Sequence, residues 1–404
     1  MIIKMALRNL KRNHRRSFAI ILTIALGVGA LFLYHGFNTG IMNQYKFNTI
    51  RSRFGHGQIN EKNYRLKVYE KPWDHWIDNF TSIEKVLKND PHVNFIFPRI
   101  EFYAMLTNGK INVAGRGQGI DGISEGKFFS ALNFIEGKNL SDEDNGVILG
   151  AGLARSLDVK IGDRVTVLTN TIFGSLNAAD LQLVGIFHTG VKEFDDASFR
   201  LPLKQAQTLL DTQKIETIAL GLKDESDDKS WDEVKSVIES NFLNLEATPF
   251  AVLDEVYYQH AVDFLWAQFG AIRLIILVIV ILGIFNTIST AILERKQEIG
   301  NLRANGESKK DVMKLLLAEG LIAGIFGSLL GIILSYLLNA TLLRQGILMP
   351  PSPGITRQFH VFVELQASYL MVTVLLGIAC TMLGTYFAGR KVVQTQIGEL
   401  LRSL

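Results

Sequence analysis

The sequence predicts an α-helical membrane protein with four transmembrane helices and a large α+β extracytoplasmic domain between helices 1 and 2. Three observations predict it. Four apolar runs approach or exceed the length of about 20 helical residues that crosses a bilayer. A long polar stretch, residues 38–264, separates the first run from the second and holds no other such segment. Lys and Arg cluster at the N-terminus, between the second and third runs, and after the fourth, which the positive-inside rule places in the cytoplasm. Composition agrees: 48% hydrophobic residues is high for a soluble chain, and a net charge of +3 is too small to indicate a nucleic-acid partner.

Residues 1–16 carry Lys4, Arg8, Lys11, Arg12, Arg15 and Arg16, with Ile3, Leu7 and Leu10 at helical spacing. This predicts a basic amphipathic helix lying on the cytoplasmic face of a membrane. The first span is 17–37; a signal peptide cleaved at Val28-Gly29-Ala30 is the alternative reading, but the apolar run continues past Ala30. Within 38–264, strand patterns occur at Val93–Pro98, Lys110–Gly115, Gly146–Leu149, Arg164–Thr169 and Leu181–Phe187. Helical patterns occur at Thr81–Lys88, Lys204–Leu210 and Trp231–Asn241. The middle, about 116–203, is richer in strand and turn signals, which predicts a β-rich lobe inserted into a split α/β lobe. The second span is 265–293, with an apolar core from Leu274 to Leu293, and a charged loop follows at 294–311. The third span is 312–343, a loop with Pro350, Pro351 and Pro353 covers 344–369, the fourth span is 370–389, and a tail runs 390–404 from Arg390 and Lys391. The single cysteine, Cys380, lies in an apolar run, so neither an intrachain disulfide nor a cysteine metal site can form.

The charged loop is the most informative segment. Glu294 to about Ala304 reads as a helix, Asn305-Gly306 as a turn suited to a left-handed C-cap, and Ser308 as the next N-cap, with Asp311 completing a capping-box pattern. Ile299 and Leu302 share one face of the first helix, while Glu294, Arg295, Lys296, Glu298 and Arg303 cover much of the rest. Such a helix at a membrane boundary offers apolar knobs to a partner's groove. Glu319, a carboxylate just inside an apolar segment, needs a partner or a function. It is expected to brace the loop through Arg303 or a backbone amide, a proton relay being the alternative. Gly320, Gly324, Gly327 and Gly331 have the spacing of close helix packing. Arg273 is expected to snorkel to the interface. Trp266 fits an interfacial belt, and Trp73, Trp76, Tyr257 and Tyr258 a belt or an apolar binding surface.

No Walker loop is present: Gly109-Lys110, Gly126-Lys127 and Gly137-Lys138 are never followed by Ser or Thr, so any ATPase is a separate polypeptide. Gly117, Gly119 and Gly122 formally satisfy G-x-G-x-x-G but read as turn glycines, since no helix signature follows in the right place. His56, His75, His92, His188 and His360 are scattered, with no H-E-x-x-H, and no catalytic or metal-binding residue is assigned.

Glu294-Arg295, Glu298-Ile299-Gly300, Leu302-Arg303-Ala304, Gly306 and Leu315-Leu316-Leu317-Ala318-Glu319-Gly320 resemble the loop between the second and third spans of FtsX/MacB-type ABC transporter permeases. Phe54-Gly55-His56-Gly57-Gln58-Ile59, Phe97-Pro98-Arg99-Ile100, Gly119-Ile120-Asp121, Val147-Ile148-Leu149-Gly150, Leu153-Ala154, Ile161-Gly162-Asp163-Arg164-Val165 and Val184-Gly185-Ile186-Phe187 resemble the MacB-like periplasmic core domain of lipoprotein-release (LolC/LolE-like) permeases. The resemblance implies a non-catalytic permease subunit in the inner membrane with both termini cytoplasmic. It implies no cofactor in this chain, ATP and Mg bound by two copies of a partner ATPase, and a second permease chain, the same or related. Membrane lipid and a periplasmic chaperone or adaptor are further implied partners, although no chaperone-binding hook can be placed. Glu294, Arg295, Glu298, Ile299, Gly300, Leu302, Arg303 and Gly306 would couple to the ATPase. The cargo would be a lipoprotein or other amphiphile, entering sideways between Phe32, Leu33 and Phe37 of the first span and Phe264, Leu265 and Phe269 of the second; ordinary lipid-facing surface is the alternative for these residues. Rival functions are a MacB-like exporter of peptides or toxins, an FtsX-like regulator of cell-wall hydrolases, against which the long external domain argues, and a membrane sensor, for which no cytoplasmic output domain follows. The tail departs from the family: Gln394-Thr395-Gln396 stand where a Pro is common.

Overall fold

The computed structural model describes residues 2–68, 71–129, 132–141, 145–223, 228–255, 260–350 and 358–402; Tyr257, Tyr258, Pro351 and Pro353 lie outside them. In chain order the helices are α1 (Ile2–Arg12), α2 (His14–Thr49), α3 (Tyr64–Lys67), α4 (Phe80–Lys88), α5 (Gly122–Phe128), α6 (Ala151–Leu157), α7 (Lys192–Ala197), α8 (Leu203–Leu210), α9 (Asp228–Asn241), α10 (Phe250–Leu253), α11 (His260–Leu293), α12 (Lys296–Ala304), α13 (Lys309–Thr341), α14 (Ala367–Gln394) and α15 (Ile397–Arg402). The strands are β1 (Gly57–Glu61), β2 (Val93–Thr107), β3 (Asn112–Ile120), β4 (Asn133–Gly137), β5 (Gly146–Gly150), β6 (Arg164–Asn170), β7 (Leu176–His188), β8 (Ser198–Pro202), β9 (Thr217–Leu222), β10 (Leu245–Pro249), β11 (Ile347–Met349) and β12 (Phe359–Val361). The chain forms two compact units, a membrane unit of Met1–Asn43, Asp263–Met349 and His360–Leu404, and an α+β unit of Gln44–Val262 with Pro350–Phe359.

Among the described residues four helices, α2, α11, α13 and α14, are long and apolar enough to cross a membrane. Lipid supplies no hydrophobic drive between helices, so close packing of small residues has to hold them. A Cβ on Gly320 would lie 2.4 Å from Thr385 Oγ1, and one on Gly324 would lie 3.3 Å from the Ile378 backbone, so these two seat α13 on α14. Gly327 and Gly331 seat the same helix on α2, where added Cβ atoms would fall 2.6 Å from Ile24 Cβ and 2.5 Å from the Ala25 carbonyl oxygen. On α2, Ile24, Val28 and Phe32 recur every four residues and form the buried stripe. The hydroxyls of Thr373, Thr381 and Thr385 donate to carbonyls one turn back, so these three buried polar groups are satisfied by the backbone of α14 itself. By contrast α11 exposes Leu274, Ile275, Val278, Ile279, Leu282 and Phe285, a face that only lipid or another chain can cover.

The α+β unit is built on one ten-stranded sheet in the order β10-β1-β9-β2-β3-β8-β5-β7-β4, with β6 pairing β2 and β7. The expected lobe boundary at residue 116 falls inside β3. The pairing partner changes instead within β2, a 15-residue strand whose Val93–Arg99 segment pairs with β9 and whose Ile100–Thr107 segment pairs with β3. A strand that long belongs to both lobes, so no loop or composition shift marks the join. Gly117 and Gly119 lie within β3 rather than in turns. A Cβ there would come 2.4 Å from the Phe199 ring and 2.4 Å from Ala206 Cβ, so these glycines admit close packing of a ring and a helix onto the sheet. Leu106, Val165, Val167, Leu183, Leu201, Leu220 and Val234 are among the fully buried side chains of its core.

Candidate functional site

The loop between α11 and α13 is shaped by local chemistry. The apolar run of α11 stops at Leu293, α12 follows after Glu294-Arg295, and Gly306 ends that helix in the left-handed region at φ 97°. Ser308 Oγ then accepts from the Asp311 amide at 3.2 Å and donates to Asp311 Oδ2 at 2.6 Å, which caps α13. Ile299 is 1% exposed and packs in one apolar cluster with Val312, Leu316, Val392, Val393 and Leu400, with Leu302 against its edge. Arg303 Nη1 donates to the carbonyls of Val393 at 3.0 Å and Thr395 at 2.6 Å, satisfying orphan acceptors at the end of α14. So α12 lies on the end of α14 and on α15.

A chain of charges holds the other side of the loop. Arg295 donates from Nε to Glu298 at 2.9 Å and forks onto both oxygens of Glu319. Asn9 of α1 donates to the same carboxylate at 2.8 Å. Arg12 lies 3.4 Å from Glu298 and Arg16 lies 2.9 Å from Glu294. Glu319 and Arg295 are only 9% and 11% exposed, so their pairing is what makes either charge tolerable there. Burial works against the charge on Glu298, but Arg295, with Arg12 and Arg16 beyond it, holds its carboxyl below the usual range.

Three expectations need correction. Glu319 is braced by Arg295 and Asn9, not by Arg303, because Arg303 is turned toward the end of α14. Ile299 and Leu302 are not knobs for a partner: the face they share packs against their own chain. The side of the loop left exposed is Glu294, Gln297, Asn301 and Ala304, followed by residues 305–310. Thirdly, Phe32 is fully buried with its ring 6.0 Å from that of Tyr336 on α13, so it does not form one surface with Phe264, which is 67% exposed. Tyr34 instead meets Phe269, ring edge to face at 6.5 Å. The cause is helical geometry: Phe32 follows the stripe of Ile24 and Val28, while Tyr34 is two residues further round and shares a face with Gly27, which packs on Val280 of α11. Leu33, Phe37 and Leu265 are partly buried. The helix of residues 2–12 keeps Ile3 and Leu7 exposed as an amphipathic surface helix would, yet buries Ala6 completely. Asn9, Arg12 and Arg16 went unread as functional residues; their i, i+3, i+7 spacing on one face is the signal that marks them.

In the α+β unit, Arg99 and Arg200, 0% and 1% exposed, share Glu125, at 2.5 Å and 3.6 Å. Both guanidiniums also donate to the π-helical turn Ile50–Phe54 that continues α2, Arg99 to the Arg53 carbonyl and Arg200 to the Ser52 carbonyl at 3.4 Å. Burial lowers Arg200 to about 10, with Glu125 opposing it. At the tip of the hairpin between β6 and β7, Phe173 and Leu176 are 76% and 73% exposed.

The FtsX-like permease C-terminal family matches residues 270–397, and the MacB-like periplasmic core domain family matches residues 17–237. The lipoprotein-releasing system transmembrane protein LolE of Haemophilus influenzae is 26% identical, over 81% of this chain and 82% of its own length. LolC of Neisseria meningitidis is 26% identical over 98% of this chain and 97% of its own. An ABC transporter permease of Methanocaldococcus jannaschii, MJ1507, is 25% identical over 86% of this chain and 87% of its own. Four spans, a capped helix between the second and third, and a large α+β insertion after the first go together with these matches: the chain belongs to the ABC transporter permeases that carry a MacB-like periplasmic core domain and an FtsX-like C-terminal half.

Proposed function

We propose that this permease passes the ATP-driven motion of a separate ABC ATPase, present in two copies beside a second permease chain, to work on the extracytoplasmic side, and that its cargo is an acylated lipoprotein or similar amphiphile leaving the membrane. Both termini and α12 face the cytoplasm in this reading, as the basic clusters at those positions favour. One observation carries it. α12 is tied through Glu298 to α1, through Arg295 to α13 and through Arg303 to the end of α14, so an ATPase that displaces it pulls on three helices at once. The relatives named for lipoprotein release support the cargo. Four helices that gain little from hydrophobic burial in lipid can slide against one another through glycine contacts at small cost. A soluble chaperone or adaptor would suit the exposed Phe173 and Leu176 of the hairpin tip, since paired apolar side chains at a rigid turn fit an apolar groove.

Mild-detergent purification of the full chain with its bound subunits, followed by mass spectrometry, tests this. An ABC ATPase and an acylated lipoprotein are the expected companions, with the lipoprotein lost on adding ATP and Mg. Recovery of a soluble protein in place of lipoprotein would favour export of periplasmic peptides or toxins, and recovery without any ATPase would sink the proposal.

A further inference from the structure

Within the membrane unit, α2, α11 and α14 line a cavity of about 460 Å³ that is open on its outer side, where Leu274 and Val372 are exposed. That volume lies in the range of roughly 300–1,000 Å³ typical of small-molecule sites. Leu31, Leu277, Val372 and Leu376 make its walls apolar, and Arg273 is the one charged residue lining it. Arg273 immediately precedes the apolar core of α11, and Tyr369, whose ring stacks on His35 at 3.5 Å, lines the cavity in the first turn of α14. The guanidinium therefore stands at headgroup depth with the apolar cavity beside it. Arg273 is exposed, and among the described residues no carboxylate pairs with it and no hydrogen bond is formed by it, which leaves its guanidinium open to an anion from outside the chain.

We propose that this cavity binds one phospholipid of the bilayer, with an acyl chain among the apolar side chains and its phosphate on Arg273. The guanidinium fork matches two phosphate oxygens, which a Lys does less well. The chemistry separates this ligand from the cargo: a diacylglyceryl group on a lipoprotein cysteine carries a thioether where a phospholipid carries its phosphodiester, and so gives Arg273 no anion. Free phosphate would leave the apolar walls unused. The site is thus a lipid site of the permease itself, beside the cargo path and independent of which cargo is carried.

The test uses the full chain with its bound subunits in lipid nanodiscs and a phosphatidylglycerol whose acyl chain carries a photoactivatable diazirine. Crosslinks are expected on the peptides holding Leu277 and Val372, at about ten times the yield given by a diacylglycerol with the same chain and no phosphate. Arg273→Gln should lose that difference and Arg273→Lys should keep part of it. Val372→Trp, which fills the cavity and leaves the charge in place, should lose the crosslink. Inorganic phosphate should not compete. Equal labelling by both lipids, or labelling unchanged in Arg273→Gln, would reduce the site to ordinary bilayer contact and overturn the proposal. So would displacement of the lipid by a synthetic triacylated peptide, which would make the cavity part of the cargo path, or crosslinks from residue 277 to a second permease chain in place of lipid.

Discussion

Glu319 carries a charge in a place where charge is expensive, and Arg295 and Asn9 take up both of its oxygens. Removing one member of such a pair leaves the other buried and alone, at a cost of about 3 kcal/mol. Glu319→Ala should therefore lower the unfolding temperature in detergent, and Arg295→Met with Glu319→Leu should recover most of the loss. That double variant tests coupling apart from stability: it should hydrolyse ATP with the ATPase bound while failing to move cargo. A second residue-scale prediction concerns Glu216. Tyr64 donates to it at 2.6 Å, and burial together with the nearby Glu101 charge pushes it from 4.5 up to about 8. Burial would raise Glu101 as well, but Arg116, aided by Arg53 and Arg99, holds it low, so the two carboxyls titrate apart. A raised carboxyl stabilises the fold in its protonated form. That stabilisation is complete below the ordinary value and is lost as pH climbs through the raised one. Unfolding temperature followed from about pH 5 to about pH 9 should fall, and Glu216→Gln should flatten that fall. An equal fall in the variant would place the titrating group elsewhere.

The structure of α12 was legible in the sequence because caps and turns are local: Asn305-Gly306 and Ser308 with Asp311 announce where one helix ends and the next begins. Its orientation was not. An apolar face on a short helix looks the same whether it meets a partner or its own chain, and here the covering residues Val393 and Leu400 come from the far end of the sequence. The basic residues near the N-terminus fit a membrane-surface reading so well that the shared face of Asn9, Arg12 and Arg16, the one trace of their ion pairs with the loop, is masked by it. Strands β8 and β9 are buried at every position, so they show none of the alternation that betrays a half-buried strand. A prediction follows at this scale. Asn301→Arg or Ala304→Trp, on the exposed face of α12, should weaken retention of the ATPase about tenfold in pull-downs without shifting the unfolding temperature. Ile299→Asp should destabilise the permease itself by about 3 kcal/mol or more, since its carboxylate would enter the apolar cluster. If Ile299→Asp left stability intact and abolished only ATPase retention, the buried orientation of α12 would be wrong.

For the whole molecule, the proposed topology, with the basic clusters at the termini and around α12 in the cytoplasm, is open to a direct labelling test. The lone native cysteine, Cys380, is buried and gives little background. A membrane-impermeant thiol reagent applied to intact spheroplasts should label Leu243→Cys, at a site 84% exposed in the α+β unit, and should leave Lys309→Cys unlabelled until the membrane is opened. The reverse pattern would invert the transporter. Proteoliposomes containing this permease, its ATPase and a labelled acylated lipoprotein give the most direct measurement of function. With ATP and Mg the lipoprotein should pass to the soluble fraction, and Arg295→Met with Glu319→Leu should stop that transfer while hydrolysis continues. Transfer that proceeds undiminished in that variant, or that occurs in vesicles lacking the permease, would contradict the claim that α12 drives cargo out through this chain.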